Sequence, residues 1–393
     1  MATRIAVQGL TLILVTRLLG PTLYGGYIAA ASLAVVMGLI PNLGSGYILM
    51  KRAASNPEAA GDVWSYGWPL TIGLGFLLSI AFPLIARPIA GGVLSITALA
   101  IIGAVELLIS PLTLLLSFVL QAVGRVPTGQ LLLTLPLFLR MCAATACLLF
   151  SGITATGFVI TQAVAAAAGL MAALGITSSF VALSWKARRP SREELTSGSG
   201  YAAMHVVAAN PTEFDKIVSP VLLDEHSAGI YSATSRIMNA VVMPMVGVLL
   251  AAQPRLFRHA ADPTEGGRKL IATLGGLAAI WGLIGGVAMY GLSPVIPLML
   301  GNQYSQAAKL MPFVALAAPF VSLRLAAGTI LVALGHPLQR LQFELAGVVA
   351  LGSLLTIGSR MAGPKGMAVG LSLAEFAMAC YGWLLVRRAL RNL

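Results

Sequence analysis

Apolar stretches of roughly 20 residues recur along the whole chain, punctuated by charges and by Gly or Pro, at the length needed to cross a bilayer's hydrocarbon core. They predict twelve helical spans, at 3–19, 24–50, 64–86, 94–122, 128–150, 153–185, 200–222, 227–252, 269–291, 306–333, 339–361 and 366–387. The first is short, opening at Arg4 and closing at Arg17. It lacks a small-residue cleavage site and a following polar stretch, so it reads as a retained helix and not a signal peptide. Aromatic residues sit where span ends should meet the membrane interface: Trp64, Tyr66 and Trp68 open the third span, Trp185 closes the sixth, and Tyr381 and Trp383 lie near the end of the twelfth.

Composition agrees. Of 393 residues, 58% are hydrophobic and only 10% charged, with a mean hydropathy of +0.89. A soluble domain carries about a quarter charged residues, and twelve spans leave no room for an appended soluble enzyme. Cys142, Cys147 and Cys380 are the three cysteines, all in apolar runs, which offers neither a disulfide framework nor a zinc-ligand spacing. No metal or cofactor is expected beyond an ion gradient, of protons or sodium, that could drive transport.

The net charge of +12 would suggest a nucleic-acid partner in a soluble protein, but its distribution is topogenic. Sixteen Lys and Arg fall on the side of the termini, against five on the other: Arg17, Arg87, Lys309, Arg360 and Lys365. Both termini are therefore expected in the cytoplasm, and no nucleic-acid partner is implied.

The longest polar stretch, from Trp185 to Ser199, splits the spans six and six. The expected architecture is an all-α, polytopic membrane protein of about twelve transmembrane helices in two six-helix bundles related as a parallel repeat. The domains would be 1–186, a cytoplasmic linker 187–199, and 200–393. Sliding the second span over the eighth by 203 positions pairs Gly26 with Gly229, Ala30 with Ala233, Ser32 with Ser235, Pro41 with Pro244, Gly44 with Gly247 and Arg52 with Arg255. Two like bundles around a midplane cavity would suit alternating access.

Four basic residues, Arg140, Lys216, Arg236 and Arg324, fall inside spans, where an ionisable group needs a partner or a purpose. Arg140 and Glu106 lie at similar depth on consecutive spans, and so do Arg324 and Glu344; each couple is either a structural salt bridge or part of a cavity. Asp215 could neutralise Lys216 or Arg236, leaving the other free. Glu375 has no sequence-local partner and is either a protonatable group or a snorkelling, solvated glutamate. Buried Arg and Lys favour an anionic cargo, since guanidinium offers paired donors to phosphate oxygens, whereas a cation exporter should present uncompensated carboxylates.

Thr16-Arg-Leu-Leu-Gly-Pro-Thr-Leu-Tyr-Gly25, Asp215-Lys-Ile-Val, and Ala228-Gly-Ile-Tyr-Ser-Ala-Thr-Ser-Arg236 resemble motifs of the polysaccharide (O-antigen type) flippases. These belong to the multidrug/oligosaccharidyl-lipid/polysaccharide exporter superfamily. The resemblance implies a transporter, not an enzyme, of the bacterial inner membrane. Its cargo would be an undecaprenyl-diphosphate-linked oligosaccharide, and its partners this lipid-linked oligosaccharide, membrane lipids and polysaccharide polymerase machinery. By motif, Arg17, Lys216 and Arg236 are the headgroup ligands it implies, to which the charge argument adds Arg140 and Arg324. Asp215, Glu106 and Glu375 are the candidates for ion coupling. The plainer alternative for Arg17 and Arg236 is that they hold helix ends or pair with carboxylates.

Three other readings stay open. A drug or cation antiporter of the same superfamily would tolerate loss of Arg17 and Arg236 in glycan assembly, and a lipid II flippase would be essential for growth. A membrane polymerase or ligase would need a sizeable outer loop carrying its chemistry. His205, His226, His259 and His336 are scattered, with no nucleophile–base pattern.

Overall fold

A computed structural model describes residues 2–55, 59–150, 153–260 and 265–391; the side chains of Lys51, His205, Asn210, Arg258 and His259 lie outside the described residues. Every regular element among them is helical. In chain order these are α1 (Ala2–Met37), α2 (Ser45–Ser55), α3 (Ala59–Ile89), α4 (Ile96–Ala104), a π-turn (Val105–Ile109), α5 (Ser110–Ala122), α6 (Val126–Leu149), α7 (Ala155–Ser178), α8 (Arg192–Leu222) and α9 (Glu225–Ala260). There follow α10 (Glu265–Leu292), α11 (Ile296–Leu300), α12 (Ser305–Ala315), α13 (Ala318–Ala333) and α14 (Pro337–Arg391).

Eight helices among the described residues are long and apolar enough to cross a membrane, and a ninth crossing is formed by α12 and α13, which meet at 49°. The chain is a multi-pass membrane protein. Two of the eight are broken internally, and α14, with 55 residues, would unbroken reach about 80 Å at 1.5 Å per residue, against a core about 30 Å thick. It bends at Ala362–Gly363, just before Pro364, and α1 bends at Gly20, just before Pro21. Dividing both at these bends and counting α8 restores the twelve segments read from the sequence.

Two expected spans are broken. Span 24–50 gives way after Met37 to a turn around Pro41, and helix resumes at Ser45. Asn42 compensates for the lost backbone pairing: its Nδ2 donates to the Pro111 carbonyl at 3.1 Å, and its Oδ1 accepts from the Thr71 hydroxyl at 2.9 Å. Span 306–333 is interrupted between α12 and α13, where Pro319 cannot supply a helical N–H.

The chain forms two compact units, Gly26–Ala209, and Met1–Gly25 together with Asn210–Leu393. These limits differ from the sequence halves chiefly in α1, whose first part packs with the C-terminal helices. The first unit is centred on Trp64, Tyr66, Leu115, Leu116, Leu120 and Leu132. In the second, α13 lies along α14, burying Ala326, Ala327, Ile330 and Leu331 near Phe343 and Gly382. Phe76, Leu77, Ile80 and Leu84 of α3 and Ile280, Leu283, Ile284 and Val287 of α10 are exposed at helical spacing, as lipid-facing stripes should be.

Candidate functional site

The C-terminal unit holds the densest polar cluster at membrane depth. Asp215 and Lys216 come from α8, Tyr231, Ser232 and Ser235 from α9, Arg324 from α13, and Glu344 and Glu375 from the two parts of α14. Asp215 Oδ1 accepts from Lys216 Nζ at 3.0 Å, while Oδ2 accepts from the Tyr231 hydroxyl at 3.3 Å and from the Ser235 hydroxyl. Lys216 also donates to the Thr212 carbonyl and lies 3.8 Å from Glu213. The Ser219 and Ser232 hydroxyls bond each other at 3.0 Å.

Arg324 joins the two parts of α14: its Nε donates to Glu375 at 2.6 Å and its Nη1 to Glu344 at 3.3 Å. Its Nη2 is buried without an acceptor among the described residues. Arg340 Nε approaches Glu344 at 3.9 Å from the half-buried rim. Glu375 is close enough to Asp215 and Lys216 to interact electrostatically with both, so the two halves form one charge network. Asp215, Glu344 and Glu375 supply three carboxylates against the two cations Lys216 and Arg324, and all five are buried.

The sequence expectations for this region are partly revised. Lys216 and Arg324, expected as headgroup ligands, are each 1% exposed and tied to carboxylates, so neither presents its charge to a cargo in this conformation. Glu375, which had no partner nearby in sequence, finds Arg324 from 51 positions away. Asp215 does pair with Lys216, but Arg236, half-buried on α9, is also engaged and not left free. Tyr231 and Ser235 were not singled out as partners of Asp215, although the spacing Tyr-Ser-Ala-Thr-Ser places both within one turn of helix.

Arg17 behaves differently. It is exposed, and its Nε and Nη2 donate to the carbonyls of Met299 (2.8 Å) and Leu298 (2.5 Å) at the end of α11. A cation satisfying the last carbonyls of a helix is the favourable end for the helix dipole. Three residues on, Gly20 takes φ 65° and ψ 172°, a conformation open essentially to glycine alone. The turn it makes lays the Pro21 carbonyl on Gly229, where a Cβ would lie 1.8 Å from that oxygen. Thus the two motifs Thr16–Gly25 and Ala228–Arg236 are in backbone contact, and Gly25 and Gly229 allow it.

In the other unit, Arg140 of α6 donates to Glu106 at 2.7 Å, and Glu106 also accepts from Ser110 at 3.0 Å. Glu106 lies in the π-turn, a widening that often accompanies functional positions. The Arg140 and Glu106 side chains remain 19% and 15% exposed, unlike the sealed network around Arg324.

A second polar cluster of this unit lies outside the spans. Ser191 and Glu194 form a reciprocal cap at the start of α8, the Glu194 N–H bonding Ser191 Oγ at 3.1 Å and the Ser191 N–H bonding Glu194 Oε2 at 2.8 Å. The same carboxylate accepts from Arg52 at 2.7 Å and Arg188 at 2.9 Å. Burial alone would raise its pKa, but the hydrogen bonds from Arg188, Ser191 and Arg52 prevail and hold it at about 2. The sequence signal, Ser191-Arg-Glu-Glu194 before a helix, was present and went unread.

The fold is that of the transporters of the multidrug and polysaccharide exporter superfamily. An inward-facing multidrug resistance transporter of the MATE family matches with a TM-score of 0.84 at 13% identity, over 100% of this chain and 98% of the other. An outward-facing conformation of such a transporter matches at 0.69 and 13% identity, over 99% and 96%. A superfamily transporter from Pyrococcus furiosus, described as having a binding pocket of reverse polarity, matches at 0.68 and 14% identity, over 99% and 93%. The chain belongs to the polysaccharide biosynthesis protein family, whose profile matches residues 14–309. No curated protein sequence matches it.

Proposed function

We propose that this protein is a flippase moving undecaprenyl-diphosphate-linked oligosaccharide units across the bacterial inner membrane by alternating access, with both termini in the cytoplasm. The observation that carries the reading is the coincidence of a polysaccharide-biosynthesis family match over residues 14–309 with a transporter fold along the whole chain. Because Lys216 and Arg324 are occupied by carboxylates, charge supports an anionic cargo less strongly than the family does. The headgroup ligands are then Arg17, Arg140 and Arg236, which keep partial or full access to their surroundings. Asp215, Glu344 and Glu375, with Lys216 and Arg324, are assigned to coupling: uptake of a proton or a monovalent cation by these carboxylates, and its release, changes the packing of α13 against α14.

Deleting the gene and extracting lipids tests the cargo. Lipid-linked repeat units should accumulate and the surface polymer should disappear, and Arg236→Ala should fail to restore export despite normal insertion. Normal surface polymer in the deletion strain overturns the reading. The multidrug transporters among the structural matches favour drug export as a second reading; it predicts intact polymer with altered drug tolerance in the same strain.

A further inference from the structure

The first turns of α3, which begins at Ala59, carry Trp64, Tyr66 and Trp68. After α7 the chain returns to this level as an extended stretch, 182–191. The Trp185 ring meets Trp64 and Trp68 edge-on, with centroids 5.9 and 5.6 Å apart, yet 58% of Trp185 is exposed. Arg188 pins the stretch in place. Its N–H donates to the Ser65 carbonyl at 3.0 Å, and its guanidinium pairs with Asp62 and Glu194 and lies 4.9 Å from the centre of the Tyr66 ring.

With Arg188 turned inward, Lys186, Arg189 and Arg192 are left exposed around Trp185. Glu193 is exposed beside them, while Asp62 and Glu194 are engaged by Arg52 and Arg188, so the rim keeps a positive balance. Beneath Trp185, the indole N–H groups of Trp64 and Trp68 and the Tyr66 hydroxyl are buried with no hydrogen-bond partner among the described residues. Buried indole and phenol donors normally find an acceptor.

We propose that this rim binds an anionic phospholipid of the leaflet that the basic loops face. Lys186, Arg189 and Arg192 take the phosphate, and Trp185 lies among the upper acyl chain and glycerol groups. Ester oxygens supply the acceptor that Trp64 and Trp68 lack once Trp185 shifts. The exposed indole selects a bilayer over a soluble acidic partner: an acidic peptide would satisfy the charges and leave Trp185 stranded. The site fixes the linker between the two sets of helices to the membrane surface, and it is independent of the identity of the cargo.

The test is quenching of tryptophan fluorescence in the full chain carrying Trp281→Phe and Trp383→Phe, so that Trp64, Trp68 and Trp185 report alone. The protein is reconstituted in phosphatidylcholine vesicles containing a minor fraction of either brominated phosphatidylglycerol or brominated phosphatidylcholine. Brominated phosphatidylglycerol should quench more strongly, and its apparent affinity should fall about fivefold for each of K186A, R189A and R192A and also with added salt. The single variants must match the parent in helical content and gel-filtration profile, and K186R should retain the preference. Equal quenching by the two lipids overturns the proposal, as does a preference that survives the triple substitution or binding only to a soluble acidic peptide.

Discussion

Arg324 Nε donates to Glu375 at 2.6 Å and so ties α13 to the second part of α14 inside a layer that water does not reach. Arg324→Ala would leave Glu344 and Glu375 buried without their cation. Breaking a buried pair in this way costs about 3–5 kcal/mol, and thermal unfolding of the purified protein should show it as a large loss of stability. Glu375→Gln keeps an acceptor for the guanidinium and leaves Arg324 its second carboxylate, Glu344, so the folded protein should tolerate it far better. Equal destabilisation by the two substitutions would mean that the charge of Glu375, and not only its hydrogen bond, holds α13 to α14.

Gly229→Ala would place a methyl against the Pro21 carbonyl, a rigid backbone atom that cannot swing aside. Gly20→Ala would instead strain a backbone at φ 65° and ψ 172°, at about 1–3 kcal/mol. Both should lower the melting temperature. Gly229→Ala should be the more damaging, because it must separate two helices and not merely bend one chain. Gly276→Ala, where a Cβ would meet no atom within 4 Å, is the control that should change nothing.

The membrane architecture was legible because it rests on apolar length, the signal least affected by tertiary context. The pairing of Arg140 with Glu106 was one of the two outcomes that equal depth on consecutive spans left open. The partner of Glu375 was not legible: it lies on a helix not adjacent in sequence, and depth alone cannot say which faces meet. The break at Pro41 was hidden for a related reason. Hydropathy runs through 24–50 without interruption, and it is Asn42, by bonding Pro111 and Thr71, that makes a turn affordable there. The contact of Pro21 with Gly229 was invisible in either motif alone, although both motifs had been noticed.

Glu194 makes the stability of the protein depend on pH. Its pKa in the folded protein, about 2, lies below the ordinary glutamate value of 4.5. The stability it contributes is therefore fully present above about pH 4.5 and is lost as pH falls toward 2. The melting temperature of the parent minus that of Glu194→Gln should be constant from pH 7 to about 5 and shrink progressively below. A difference that instead grows on acidification would show that the carboxylate is not held by Arg52 and Arg188.

Arg140 and Glu106 permit a separation of structural from functional roles. Arg140→Ala leaves a carboxylate at membrane depth with Ser110 as its partner among the described residues, and Glu106→Ala leaves a guanidinium in the same position. Each single substitution should destabilise, and the double substitution by less than their sum, with a coupling energy of about 0.5–3 kcal/mol in thermal unfolding. If Arg140 serves only to neutralise Glu106, the double variant should export surface polymer normally. If it also takes the diphosphate, as proposed, the double variant should be nearly as stable as the parent and still fail to export. Stability rescued without export is the expected result, because partial exposure is what distinguishes this pair from the sealed one at Arg324.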